Sequence, residues 1–282
     1  MRDNKIPRAT ISEIRIKYVL EPSLEDIYVE GDFDKDVIKR KCKELNQHDR
    51  VVYNINTIDI PMDILMKYNL SDGNKQRVIA LAKELSDIHI GRKYLCVVDK
   101  DLDHWFGLTE DVPRLFWTNY CSMELYFFSE EFIKDLLIDV LKTKIEAWGY
   151  FYHSFVETLK ILYALRLTDF DMKLGLGWLS FERCLGVDGT TIVFNYEEYI
   201  NRVLNSSKLI AEKNSYLDNL DIWKEKLNGD PRLFIRGHDF VQLLVWAVKE
   251  FKGVRDFWSE VAIERLFVNS TSKIENVAIL FK

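Results

Sequence analysis

The segment Tyr94-Leu95-Cys96-Val97-Val98-Asp99-Lys100-Asp101 joins an uninterrupted apolar run to two aspartates. The run has no polar face, which is typical of a central parallel strand that helices cover on both sides. Polar residues that follow such a strand lie at the carboxyl edge of the sheet, where open α/β folds bind ligands. We therefore predict an α/β fold with a ligand-binding edge that includes Asp99.

Strand and helix signals alternate on both sides of this segment. Runs of β-branched and aromatic residues predict three further strands, at residues 27–29, 51–60 and 115–121. Apolar residues at helical spacing fill the intervals, so a parallel sheet flanked by helices is expected. We predict three parts: an N-terminal extension at residues 1–24, an α/β domain at 25–145 and a mainly helical domain at 146–282.

The composition limits the possible function classes. Of the 282 residues, 48% are apolar and 30% are charged, which is typical of a globular protein. The formal net charge of −6 excludes the overall basic field of a protein that coats DNA. No apolar run is long enough to span a membrane and no signal peptide precedes the first strand, so we expect a cytoplasmic protein without membrane contact. The four cysteines are widely separated and predict reduced thiols.

Acidic residues follow three of the four predicted strands. Glu30 and Asp34 come after the first strand, Asp99 and Asp101 after the third, and Glu124 after the fourth. Each acid alone also fits an ordinary polar loop or helix start. Together they would repel one another, because two carboxylates about 4 Å apart cost roughly 4 kcal/mol at an effective dielectric of 20. The shared edge therefore predicts a bound cation, and oxygen ligands favour Mg²⁺ or Mn²⁺.

The three acidic motifs resemble the signatures of the TOPRIM fold of topoisomerases, primases and nucleases. They are Val29-Glu30-Gly31-Asp32-Phe33-Asp34, Val97-Val98-Asp99-Lys100-Asp101-Leu102-Asp103 and Ser122-Met123-Glu124-Leu125. The Glu30 to Asp34 spacing and the Ser-x-Glu motif are similar to the nuclease branch typified by OLD-family (overcoming lysogenization defect) enzymes. The layout of nearly the whole chain resembles DUF4435-type proteins and, among them, the TOPRIM effector subunits of PARIS anti-phage systems.

This resemblance implies a two-metal site and a defence function. Glu30 and Asp34 would hold one Mg²⁺ or Mn²⁺ ion, Asp99 with Ser122 and Glu124 would hold a second, and Asp101 would support or bridge them. The implied activity is that of an endonuclease effector, which an ABC-type ATPase sensor subunit holds until release. The released effector would act as a homodimer and cleave host tRNA.

The basic group of the reaction is left open by the sequence. OLD-type enzymes place a catalytic lysine late in the chain, whereas the nearest motif-like stretch here is Phe234-Ile235-Arg236-Gly237-His238-Asp239-Phe240. Arg236 or His238 would then stabilise developing charge, with Lys100 as a third candidate, although the same stretch also fits an ordinary helix start. Two other functions stay open, a DNA-nicking nuclease of the same class and a non-catalytic TOPRIM binding module.

Overall fold

The computed structural model describes residues 8–88 and 94–274. Residue contacts divide the chain into two units, one formed by Met1–Asn119 with Leu266–Lys282 and the other by Tyr120–Arg265. The boundary predicted between residues 145 and 146 lies inside the second unit. None of the helices in the described ranges has both the length and the apolarity needed to cross a membrane.

The first unit has an α/β architecture with parallel sheets flanked by helices, as the sequence predicts. In chain order its elements are β1 (Ala9–Thr10), α1 (Ile11–Leu20), β2 (Glu25–Val29), α2 (Asp32–Glu44), β3 (Arg50–Asn54), β4 (Ile58–Asp59), α3 (Met62–Lys67), α4 (Asn74–Leu85), β5 (Leu95–Val98) and β6 (Leu115–Trp117). A TOPRIM identity stays a prediction.

The main sheet is fully parallel and has the strand order β3-β2-β5-β6. Tyr28 of β2 pairs with Cys96 of β5, and Val98 of β5 pairs with Trp117 of β6. This arrangement makes β2 and β5 the two central strands. Their carboxyl ends are therefore neighbours, and Glu30 and Asp99 follow them directly.

Residues on both faces of the central strands are buried, as expected for a sheet covered on two sides. Tyr28, Cys96 and Val98 belong to a core cluster that also contains residues of α1 and α4. Ile14 and Tyr18 of α1 are buried in this cluster, so part of the predicted N-terminal extension belongs to the core of the first unit. Thr10 begins α1 with a capping box, which it forms with Glu13.

The predicted strand at residues 51–60 is divided in the structure. β3 ends at Asn54, a 3₁₀ turn follows at Ile55–Thr57, and β4 pairs with β1 in a separate two-stranded sheet. Side chains explain the break, because Asn54 Oδ1 accepts the Asn56 N–H at 2.9 Å and Thr57 Oγ1 donates to the Asn54 carbonyl at 2.8 Å. Such local bonds compete with a strand ladder.

The second unit is mainly helical. Its elements are α5 (Glu130–Lys134), a π-helical turn at Asp135–Val140, α6 (Trp148–Met172), β7 (Leu185–Asp188), β8 (Thr191–Phe194), α7 (Tyr196–Ser206), α8 (Lys213–Lys226), α9 (Gly237–Glu250) and α10 (Glu260–Asn269), which crosses into the first unit. Ser129 caps α5, as the sequence predicts, by accepting the Phe132 N–H at 3.2 Å. The antiparallel β7–β8 hairpin was not predicted.

Aromatic side chains form much of the core of the second unit. Phe240 of α9 is fully buried and contacts Phe128 and Phe155 with ring centroids 5.0 and 6.2 Å apart. Phe151 is also fully buried in α6, whereas its neighbour Tyr150 is 74% exposed. These contacts pack α9 against α6, and they fix the start of α9, where Arg236 and His238 lie.

Candidate functional site

The carboxylate of Glu30 reaches from the end of β2 to the end of β5. Its Oε1 accepts a hydrogen bond from the backbone N–H of Asp99 at 2.8 Å, across 69 positions of sequence. Asn74, at the start of α4, donates its side-chain amide to the Glu30 carbonyl at 2.9 Å. The structure therefore brings together the two strand ends that the sequence placed at one edge.

Asp34 lies in the first turn of α2, four residues beyond Glu30. Its Oδ2 accepts the Gly31 N–H at 3.0 Å, which satisfies a backbone donor at the helix start. The positive end of the helix dipole also favours a carboxylate at this position. Asp34 therefore has a structural role in α2, and its charge also acts on Glu30.

The pKa of Glu30 is strongly shifted by its surroundings. Burial raises the pKa of Glu30 to about 8, the charges of Asp101 and Asp34 raise it as well, and the Asp99 N–H and the Lys75 ammonium act in the opposite direction. Without an added cation, Glu30 is therefore mostly protonated at neutral pH. The charges of Asp101 and Asp34 therefore oppose ionisation of Glu30.

Lys75 contacts two acids of the same edge, and sequence reasoning missed it. Its Nζ lies 3.1 Å from Asp101 Oδ2 and 2.6 Å from Asp103 Oδ2, and it lies 5.3 Å from the ring centroid of Trp117. Burial alone would lower the pKa of Lys75, but Asp101 and Asp103 outweigh burial and keep that pKa above its usual value. A helix that connects two parallel strands begins at the carboxyl edge of the sheet. Applied to α4, this rule would have identified the first turn of the helix, and with it Lys75, as part of the edge.

Lys100 uses its ammonium to connect two loops of the first unit. Its Nζ donates to the Asn119 carbonyl at 2.9 Å, and its backbone N–H donates to Thr118 Oγ1 at 3.2 Å. The neighbouring Asp101 has a φ of 43°, in the left-handed region that Asp tolerates better than most residues. The loop after β5 is therefore held by specific bonds to the segment after β6 and to α4.

Ser122 and Glu124, in the second unit, lie against the start of α9. A side chain at position 237 would overlap Glu124 Oε2 and Ser122 Oγ, so the first residue of α9 has to be glycine for these groups to approach the backbone. Ser122 is only 4% exposed, and its Oγ has no hydrogen-bond partner in the described part of the chain. The helix N-terminus favours the Glu124 carboxylate, and Ser122 adds a buried oxygen beside it.

Arg236 and His238 are both in contact with carboxylates of the second unit. His238 Nδ1 lies 3.5 Å from Glu260 Oε2, and Arg236 Nη1 lies 3.5 Å from Asp239 Oδ1. Burial raises the pKa of Glu264, and the charges of Glu124 and Glu260 raise it further. The start of α9 and the first turns of α10 thus combine basic and acidic side chains.

Asp239 is a buried anchor at the start of α9. Its carboxylate is 1% exposed and accepts two hydrogen bonds from Arg166 of α6, at 2.9 Å from Nε and 2.8 Å from Nη2. The guanidinium also lies 4.7 Å from the ring centroid of Trp178. This bidentate pair fixes the start of α9, and with it the backbone beside Ser122 and Glu124.

The predicted site residues fall into two groups, one in each unit. Glu30, Asp34, Asp99, Lys100 and Asp101 belong to the first unit, and Ser122, Glu124, Arg236 and His238 belong to the second. The oxygen donors of the first group have the chemistry that Mg²⁺ and Mn²⁺ prefer. In residues 8–88 and 94–274, however, no group of three or more His, Cys, Asp or Glu side chains is arranged to hold a metal ion. One of these donors, Asp101, is paired with Lys75.

The raised pKa of Glu30 predicts a specific pH dependence of stability in the absence of metal. The folded protein keeps the Glu30 proton up to about pH 8, whereas the unfolded chain loses it near the ordinary glutamate pKa of 4.5. This contribution to stability is therefore fully present below about pH 4.5 and is lost as the pH rises through 8. Glu30→Gln keeps an oxygen acceptor for the Asp99 N–H but does not titrate.

From pH 5 to pH 8, wild type is expected to lose on the order of 3–4 kcal/mol of unfolding free energy relative to Glu30→Gln. Urea unfolding in EDTA, followed by circular dichroism, measures the difference. Parallel pH profiles for the two proteins would show that the Glu30 pKa is not raised.

The Arg166–Asp239 pair predicts a large cost for losing one partner. Arg166→Met leaves Asp239 buried without its guanidinium and is expected to lower the free energy of unfolding by about 3–5 kcal/mol. Lys224→Met is the matched control, because it removes a cation from a pair with Asp221, whose side chain is 70% exposed, and it should cost less than about 1 kcal/mol. Equal effects of the two substitutions in urea unfolding would contradict a buried anchoring role.

Comparison with protein-family models and curated proteins finds no relative. The OLD-like resemblance therefore rests on the three acidic motifs.

Proposed function

We propose that the protein is a metal-dependent endonuclease effector of an anti-phage defence system that cleaves host tRNA. The observation that carries the proposal is the bond from the Asp99 N–H to the Glu30 carboxylate at the joined ends of β2 and β5. The resemblance treats Glu30 and Asp99 as metal ligands. The bond supports this interpretation because it joins the two residues at one edge of the sheet. The same edge contains the charges of Asp34 and Asp101.

In the first unit, Glu30, Asp34 and Asp99 are the residues that would hold a divalent cation, as the resemblance implies. The Asp99 N–H orients Glu30 through Oε1, and Glu30 Oε2 accepts no hydrogen bond in the described part of the chain. The chemistry that a divalent ion supplies when bound is activation of water and stabilisation of charge on the leaving oxygen of a phosphodiester. The role of Ser122 and Glu124 toward a second ion is a prediction from the resemblance.

The chain also has to stabilise negative charge on the phosphate. The sequence predicts Lys100, Arg236 and His238 as candidates for this task, and Lys100 already donates to the Asn119 carbonyl. Arg236 is half-buried and pairs with Asp239, whereas His238 is exposed and its Nε2 lies 3.0 Å from Gln242 Nε2. Glu260 Oε2, 3.5 Å from His238 Nδ1, would orient the imidazole ring.

The proposals for the substrate and the partners rest on the resemblance alone. Cleavage of tRNA, control by an ABC-type ATPase subunit and homodimer formation are properties of the PARIS effectors that the motifs resemble. The net charge of −6 favours a small contact area on the nucleic acid over a general basic surface.

A non-catalytic binding module is the second candidate, and one observation favours it. Lys75 already neutralises part of the acidic edge by pairing with Asp101 and Asp103. An edge balanced in this way needs no metal ion for stability. Such a protein would bind a partner or a nucleic acid without cutting it.

Expression in cells tests the proposal. Wild type, Glu30→Gln and the control Glu21→Gln, which changes an exposed glutamate of the same unit, are expressed alone and with the ATPase partner that the resemblance implies. Sequencing of tRNA and DNA ends should find tRNA breaks with wild type and Glu21→Gln. These breaks should fall at least about 100-fold with Glu30→Gln, because a metal ligand is lost.

Other outcomes replace the proposal with one of its alternatives. Glu30-dependent nicks in DNA with intact tRNA would indicate a DNA-nicking nuclease. The absence of breaks with every protein, alone and with the partner, would favour the binding module. Breaks that persist at the wild-type level in Glu30→Gln would reject the acidic edge as the active site.

A further inference from the structure

We infer that Lys75 is a positioning residue whose ammonium acts as a built-in counter-ion of the acidic edge and sets its affinity for a divalent cation. The inference rests on the proposed function in one respect, that the edge binds a metal. In this inference, pairing with Lys75 competes with the role of Asp101 in supporting or bridging metal ions, which the resemblance implies. No role for Lys75 follows from that motif, since the residue lies on α4, outside all three acidic segments.

The geometry shows that Lys75 is held in place. Its side chain is 12% exposed, and it pairs with Asp101 and Asp103 on the loop after β5. The ring of Trp117, at the end of β6, covers the ammonium from another side. A lysine buried to this extent needs charged partners, and both partners here belong to one predicted metal motif.

The ion pairs also act on the shape of the loop. Asp101 has a φ of 43°, a conformation that costs energy for residues other than glycine. Pairing with Lys75 offsets this cost, and the Asp99 N–H two residues earlier donates to Glu30. The residue before Lys75, Asn74, donates to the Glu30 carbonyl. The first turn of α4 therefore holds both ends of the edge.

Two effects of Lys75 can be separated by substitution. The positive charge of Lys75 opposes the binding of a metal cation at the edge, because like charges a few ångströms apart repel in a partly buried site. Its hydrogen bonds hold the loop. Lys75→Met removes both effects, Lys75→Gln removes the charge and keeps a donor, and Lys75→Arg keeps both.

The test is the affinity of the full-length protein for Mn²⁺ alone, measured from the electron paramagnetic resonance signal of free Mn²⁺. The dissociation constant should fall about tenfold or more in Lys75→Met and in Lys75→Gln, and it should stay within about twofold of wild type in Lys75→Arg. Lys83→Met is the matched control, because it removes a cation from the same helix that pairs with Glu110 instead, and it should leave the affinity unchanged. Adding Asp101→Asn to Lys75→Met should abolish the gain.

The outcomes separate this inference from the proposed function. Mn²⁺ binding by Lys75→Gln but not by wild type supports the counter-ion role and argues against a metal-dependent wild-type enzyme. Wild-type binding that the neutral variants do not strengthen overturns the inference and leaves the proposed function standing. A lack of binding by all the proteins overturns both. If circular dichroism shows that Lys75→Met does not fold, the affinity of Lys75→Gln for Mn²⁺ decides between these outcomes.

Discussion

The hydrogen bond between the Asp99 N–H and the Glu30 carboxylate depends on the parallel pairing of β2 with β5. These strands are neighbours in the order β3-β2-β5-β6, and Tyr28 pairs with Cys96. Parallel strands end at the same edge, so a carboxylate after one strand meets the backbone after the other. Without this pairing, two residues 69 positions apart would have no reason to meet. The other groups of the first-unit site are arranged around this bond.

Charge is the second constraint on the edge, and the chain limits it in three ways. Burial keeps a proton on Glu30 at neutral pH, a backbone N–H at the start of α2 binds Asp34, and the ammonium of Lys75 binds Asp101 and Asp103. Each device reduces the repulsion that unpaired carboxylates would cause. The charges of the metal-free edge are therefore balanced largely within the chain.

The correct predictions of the parallel sheet and of its carboxyl edge depend on local sequence patterns and on one rule of topology. The apolar run at residues 94–98 and the positions of Glu30 and Asp99 are visible in the chain, and the parallel α/β rule places them together. The partners of Asp101 and Asp239 were not predictable in this way. Lys75 lies on a preceding helix, and Arg166 lies 73 positions before Asp239, so both pairs depend on packing. The second-unit position of Ser122 and Glu124 likewise depends on the start of α9.

Anomalous diffraction from crystals soaked in Mn²⁺ tests the central claim most directly. The claim is that the ends of β2 and β5 form a cation-binding edge. It predicts a manganese peak in contact with the carboxylates of Glu30 and Asp34 or Asp99 in the wild-type protein, and no peak at that position in Glu30→Gln. Manganese bound elsewhere, with the Glu30 edge unchanged and Lys75 still paired with Asp101 and Asp103, would contradict it.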